Sequence, residues 1–198
     1  MKMDKMTQKL LLKQIKTRAA EFGYKVSRGF MFSKIGENFV SVTYLIVNST
    51  KLVFDVSVKK YSYDDIFWDI MNMADNKKAP VSLRAYGAFV APSITILDDE
   101  LPLSVDIDSI VQTFFDTVII HVNDFLEKNQ VNDFVFATEG LPRGALLRCL
   151  AYLDQKDIAS AVEVAQKEIA AGNRRGGFEN EGKGFFEWVL YQYSGIDK

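Results

Sequence analysis

Residues 51–61, KLVFDVSVKKY, decide how this chain is read. Leu52, Phe54, Val56 and Val58 alternate with Val53, Asp55, Ser57 and Lys59. That two-residue period belongs to a strand buried on one face and mostly polar on the other. Two further strand-like runs precede it, GFMFSKI (29–35) and ENFVSVTYLIV (37–47). Gly36 and then Asn48-Ser49-Thr50 join the three runs. Connections this short permit antiparallel neighbours and exclude parallel crossovers. Beyond them, SLRAYGAFV (82–90) and SITIL (93–97) read as two more strands with Pro92 at the turn, and FVFA (134–137) as a short one.

Helical spacing fills most of the remainder. Leu11, Ile15, Ala19 and Phe22 recur at three and four residues over 5–21, and Gly23 supplies a stop. Ser62, with Asp65 three residues on, predicts a capped helix over 63–73. The stripe Ile107, Val111, Phe114, Val118, Val122 and Phe125 predicts the longest helix, 104–128. Three helices follow: one after Pro142, one over 157–171 and FFEWVLYQY (185–193), apolar on nearly every face. The expected fold is therefore α+β: a mainly antiparallel sheet of about five strands, helices packed beside it and a helical C-terminal tail. The expected division is an α+β core over 1–138 and a helical extension over 139–198 that packs on it.

With 198 residues, of which 48% are hydrophobic and 25% charged, the chain has the make-up of a soluble globular protein able to bury a core without staples. Cys149 is the only cysteine, so no intrachain disulfide can form. No run reaches signal-peptide or membrane-span length, and the expected location is cytoplasmic. Charge is unevenly spread although the net value is only −2. Residues 1–28 hold eight basic and two acidic side chains, whereas no Lys or Arg lies between Arg84 and Lys128. Opposed fields of this kind pair within a fold or steer a partner.

GFENEGKG (177–184) spells most of a phosphate-binding loop. Gly184 stands where the magnesium-binding hydroxyl belongs, and Glu179 and Glu181 would repel an anion. A helix, not a strand, precedes it. We read residues 173–184 as a hinge-like connector that delivers the final helix. His121 is the only histidine, so a zinc site lacks ligands, and Asp106 with Asp108 lacks the rest of a calcium loop. A Cys149–His121 thiol pair is the remaining catalytic combination. No metal or cofactor is expected. The lysines at 5, 9, 13 and 16 lack interleaved aromatics for base stacking, so nucleic acid is not expected either.

Two sets of residues stand out for binding. On the polar sheet face, Asp55, Arg84 and Tyr86 are candidate ligand anchors. Trp68, Phe186 and Trp188 are candidate partner contacts, because an exposed aromatic helix is too large an apolar patch for a quiet monomer.

The stretch EFGYKVSRGFMFSKIGENFVSVTYLIVNSTKLVFDVSV (21–58) resembles the opening of small uncharacterised bacterial α+β domains, in which a helix ends at Gly-aromatic-Lys and leads into a meander. The element order through residue 128 also looks like that of class I type III secretion chaperones. That resemblance implies an acidic dimer that holds a segment of another protein. The leading expectation is a non-enzymatic protein-binding module, immunity-protein-like or chaperone-like, that binds a protein partner or itself. A small-molecule site on the polar sheet face and a thiol enzyme are the alternatives.

Overall fold

The structure, a computed structural model, describes residues 2–104 and 106–194. The fold is α+β, with a five-stranded antiparallel sheet and eight α-helices among the described residues. The chain falls into two compact units that interleave in sequence: Met1–Val58 with Ser93–Asn129, and Lys59–Pro92 with Gln130–Lys198.

In the first unit, α1 (Lys5–Glu21) starts at Asp4, whose Oδ1 accepts the N–H groups of Met6 and Thr7 at 2.8 and 3.1 Å. Leu11, Ile15 and Ala19 are its buried face. Gly23 takes φ 75°, and the Tyr24 N–H returns to the Ala19 carbonyl at 2.9 Å, so the expected stop holds for the expected reason. The strands β1 (Lys25–Ser27), β2 (Phe30–Ile35), β3 (Asn38–Val47), β4 (Lys51–Lys60) and β5 (Ile94–Pro102) form a meander in which each strand neighbours the next. Met31 pairs with Val42 and Phe54 with Asp99. The last helix of this unit, α4 (Ile107–Lys128), begins at Asp106, which accepts the Ser109 N–H. Its Phe114 meets Phe54 and Tyr44 edge-on at 5.0 and 5.8 Å, and its Phe115 stacks on Phe22 at 5.3 Å. The alternation of β4 thus does what residues 51–61 predict, setting Leu52, Phe54 and Val56 into the core.

The second unit opens with the end of β4. It continues through α2 (Ser62–Ile70), a 3-10 turn (Ala74–Lys78), α3 (Leu83–Tyr86), α5 (Val131–Ala137), α6 (Gly144–Asp154), α7 (Ile158–Ala170), the paired β6 (Glu179–Asn180) and β7 (Lys183–Gly184), and α8 (Phe185–Tyr193). Its core is aromatic: Phe67 stacks on Phe185 at 5.6 Å and meets Phe178 edge-on at 4.8 Å.

Four local expectations are corrected. Residues 82–90 are not a strand; Leu83–Tyr86 make one helical turn, closed by the Gly87 N–H on the Leu83 carbonyl at 2.8 Å. The alternation there is diluted by Ala85 and Gly87, and Arg84 is buried through its polar partners instead of facing solvent. FVFA lies in α5, where Val131 and Val135 are buried one turn apart; four apolar residues fit either period. Ser62 does not cap α2. Its hydroxyl donates to Asp154, and Asp65 accepts from Arg84.

The fourth correction concerns GFENEGKG, which is a tight hairpin and not a hinge. Glu179 pairs with Gly184 and Asn180 with Lys183, while Glu181 and Gly182 take φ 49° and 74° in the two-residue turn. Positive φ at both positions matches the twist of the flanking strands.

Candidate functional site

The polar centre of the second unit is built from the end of β4, α2 and the irregular segment through α3. Lys59 Nζ donates to Asp64 Oδ1 at 2.8 Å and to the carbonyls of Arg84 and Ala91 at 3.1 and 3.0 Å. Asp64 Oδ1 also accepts the Ala91 N–H at 2.8 Å. Arg84 donates to the Tyr61 carbonyl at 2.9 Å and to Asp65 Oδ1 at 2.6 Å. Its guanidinium lies 3.8 Å from the centre of the Tyr61 ring and 4.8 Å from that of Trp68. Burial pushes the Lys59 ammonium below its usual range, against the pull of Asp64, and nearby Arg84 adds to the lowering. A buried ammonium is tolerated only when its donors are matched, and here Asp64 and the carbonyls of Arg84 and Ala91 accept from it. The arrangement is a clasp: it ties residues 84 and 91 to the start of α2.

The candidate ligand anchors are distributed accordingly. Arg84 is part of the clasp, and Tyr86 donates its hydroxyl to Ser82 Oγ at 3.1 Å. Both belong to the second unit, whereas Asp55 belongs to the first. Asp55 is half-buried on β4, directly opposite Asp98 of β5. Burial raises its carboxyl above the usual range, hydrogen bonds from Thr43 and Ser57 oppose this, and Asp98 raises it further.

The three candidate partner contacts are buried. The Trp68 indole donates to the Phe89 carbonyl at 2.6 Å, and the Trp188 indole to the Asn180 carbonyl at 3.1 Å. Phe186 meets Phe185 edge-on at 5.3 Å. Cys149 is buried as well, its thiol 3.6 Å from the Ala161 carbonyl, and burial pushes its pKa up to about 12. That thiol stays protonated where a nucleophile must be ionised. His121 is exposed on α4, with Nδ1 2.8 Å from the Thr117 carbonyl.

The first unit carries a groove on its surface. Between α1 and α4 runs a groove of about 420 Å³ with Leu10 and Val111 as apolar wall and Lys13 and Thr17 at its lip. Gln14 Nε2 donates to Asp108 Oδ1 at 2.9 Å, and Arg18 pairs with Glu21 and reaches Gln112 Oε1 at 3.5 Å, so the polar ends of the groove are fixed. Beside it Met6 is 82% and Leu10 47% exposed, one turn apart on the outward face of α1, among Lys2, Lys9 and Lys13. These residues escape a search for periodicity because they lie outside the buried stripe. The signal that marks them is an apolar pair at four-residue spacing within a lysine face.

Comparison with known protein families, with curated proteins and with solved structures returns no match. Among the described residues no three His, Cys, Asp or Glu side chains form a metal-binding group, and no helix is long and apolar enough to cross a membrane.

Proposed function

We propose that the chain is a non-enzymatic protein-binding module, immunity-protein-like or chaperone-like, that docks an acidic amphipathic segment of its partner on the α1–α4 groove. The observation that carries this reading is the exposure of Met6 and Leu10 beside the lysines of α1. Apolar side chains left in water forgo roughly 25 cal/mol for each Å² that a partner would cover. The surrounding ammonium groups select a partner segment with carboxylates beside its apolar anchors and speed its arrival. An anionic membrane is the competing occupant. Two outward apolar side chains give little area to bury in lipid, whereas a groove with a defined wall suits a side chain inserted from a polypeptide.

The test uses the full chain with a photocrosslinking residue at Thr17, presented to extract of the source cells. One protein should be crosslinked through an acidic amphipathic segment, and the M6E/L10E and K9E/K13E variants should lose it while keeping the circular dichroism of the parent. Crosslinking unchanged by both variants, or binding confined to phosphatidylglycerol vesicles, would overturn the proposal.

A further inference from the structure

The second unit also carries a recess, lined by none of the clasp residues. It has a volume of about 240 Å³, and its walls come from the start of α6, the turn at 173–177 and α8. Leu146 and Phe186, both buried, make the apolar wall. Gly176 and Gly177 line it with bare backbone, at φ 56° and 89°. A Cβ on Gly176 would stand 3.0 Å from Phe186 Cε2 and 3.3 Å from Leu146 Cδ1, so a side chain there would crowd the apolar wall. Asn173 fixes the turn, its Oδ1 accepting the Gly176 N–H at 3.2 Å. The Gly177 N–H has no acceptor among the described residues.

Arg143 completes the lining. It precedes α6 with φ 54°, a left-handed conformation that a long side chain seldom takes. Its guanidinium lies 4.8 Å from the centre of the Phe178 ring and 3.5–3.6 Å from the point where a Gly177 Cβ would stand. Contact with an aromatic face steadies the cation and leaves its charge in place. None of its N–H groups is hydrogen-bonded to a described residue. Three carboxylates of the flanking elements are engaged elsewhere: Glu168 accepts from Asn173 at 2.6 Å, Glu179 pairs with Arg175 at 2.7 Å and Glu187 with Arg174 at 3.3 Å. A guanidinium with its fork unengaged, beside an apolar recess, suits a carboxylate, whose two oxygens match two parallel N–H groups.

We propose that this recess binds a small monocarboxylate with a short branched apolar tail, its carboxylate on Arg143 and the Gly177 N–H and its tail against Leu146 and Phe186. The volume sets the size. It equals that of about eight water molecules at roughly 30 Å³ each, which a five-carbon acid such as 3-methylbutanoate fills. Inorganic phosphate would satisfy the arginine but leave the apolar wall uncovered. The residues, the unit and the ligand class all differ from those of the α1–α4 groove, so the site goes beyond the protein-docking reading and stands without it.

The probe is 3-methylbutanoate, titrated against the full isotope-labelled chain and followed through the Gly176 and Gly177 amide and Leu146 methyl resonances. Those signals should shift and saturate. The acid should bind Arg143→Met about tenfold or more weakly, the size of one lost charge-assisted hydrogen bond. Arg175→Met, whose native side chain serves Glu179, should bind it as the parent does, which separates Arg143 from the general positive charge of the segment. 3-Methylbutanamide has nearly the same shape without the charge. It should bind the parent at least about tenfold more weakly than the acid, a comparison that holds even if Arg143→Met fails to fold. Equal binding of acid and amide by the parent, or of the acid by the parent and a folded Arg143→Met, would overturn the proposal. So would shifts that never saturate, and so would inorganic phosphate binding as tightly as the acid, since the apolar wall would then play no part.

Discussion

Lys59 and Asp64 form a 2.8 Å ion pair with both side chains buried, five residues apart at the corner where β4 turns into α2. Removing one partner of a buried pair costs about 3–5 kcal/mol when the other charge is left uncompensated, and here Arg84 Nη1, 3.5 Å from Asp64 Oδ2, offsets part of that. Lys59→Met is therefore expected to lower unfolding free energy by less than that amount in a urea titration. Asp64→Leu added to it should cost less than the sum of the two single changes, since the second substitution removes the charge that lost its lysine in the first. Additive losses would show that the pair is not coupled.

The second prediction concerns alkaline pH. Cys149 is raised from 9.0 to about 12 and Tyr24 from 10.0 to about 12, both by burial. Each is neutral when protonated, so the folded chain holds protons that the unfolded chain releases. The stability this gives is complete below the unfolded pKa and is lost as pH rises toward the folded one. Loss should begin near pH 9 and approach about 1.4 kcal/mol per pH unit for one such group. Lys59 is shifted down and acts in the opposite sense, its buried charge becoming less costly as pH rises. Cys149→Ala should remove the part of the loss that starts near pH 9. A urea midpoint series from pH 8 to 11 with an unchanged slope in that variant would refute the assignment.

Tyr63, Asn132 and Asp154 give a third. The Tyr63 hydroxyl donates to Asn132 Oδ1 at 2.8 Å, and Asn132 Nδ2 donates to Asp154 at 2.9 Å. Tyr63→Phe removes one donor and leaves Asn132 Oδ1 without that bond, which should cost about 1–3 kcal/mol. Asn132→Leu in the Tyr63→Phe background should recover part of the loss, because two apolar groups then face each other. Calorimetric melting of the parent and the two variants measures both effects.

Gly184 gives the fourth. A Cβ placed there would lie 2.3 Å from the Arg174 carbonyl oxygen and 2.6 Å from the Arg175 Cα. Both contacts are with backbone, which cannot swing aside. The Gly184 N–H also donates to Glu187 Oε2 at 2.7 Å at the start of α8. Gly184→Ala is expected to cost at least the ~1–3 kcal/mol of an overpacked core site. It should loosen α8, seen as faster amide exchange from Phe186 to Tyr191. Gly184→Ser, which would complete the phosphate-loop spelling of residues 177–184, should do the same and gain no nucleotide binding.

The meander was legible because its signals are local. Alternation in residues 51–61 and short turns at Gly36 and Asn48–Thr50 need no distant partner to be interpreted. Arg84 was misplaced because its surroundings come from residues far along the chain: Asp64 and Asp65 on one side, Tyr61 and Trp68 on the other. A buried arginine carries no periodic mark, so the sequence invited a polar strand face. Gly184 stands out in the sequence for a hydroxyl it lacks, while its actual requirement is the backbone of Arg174 and Arg175. The α1–α4 groove is half-visible in the sequence: the lysines stand out there, and Met6 and Leu10 among them do not.

The interleaving of the two units has a consequence for synthesis. The first unit needs residues 93–129 to add β5 to its sheet and to supply α4, and these emerge only after residues 59–92. Domains generally fold as they leave the ribosome, N-terminal first. Here the first unit stays open while a piece of the second is already outside, and that piece waits for everything after residue 130. A ribosome-associated chaperone would find α1 and four strands exposed together for that interval, and deleting residues 130–198 would leave 59–92 as an unfinished insertion within the first unit.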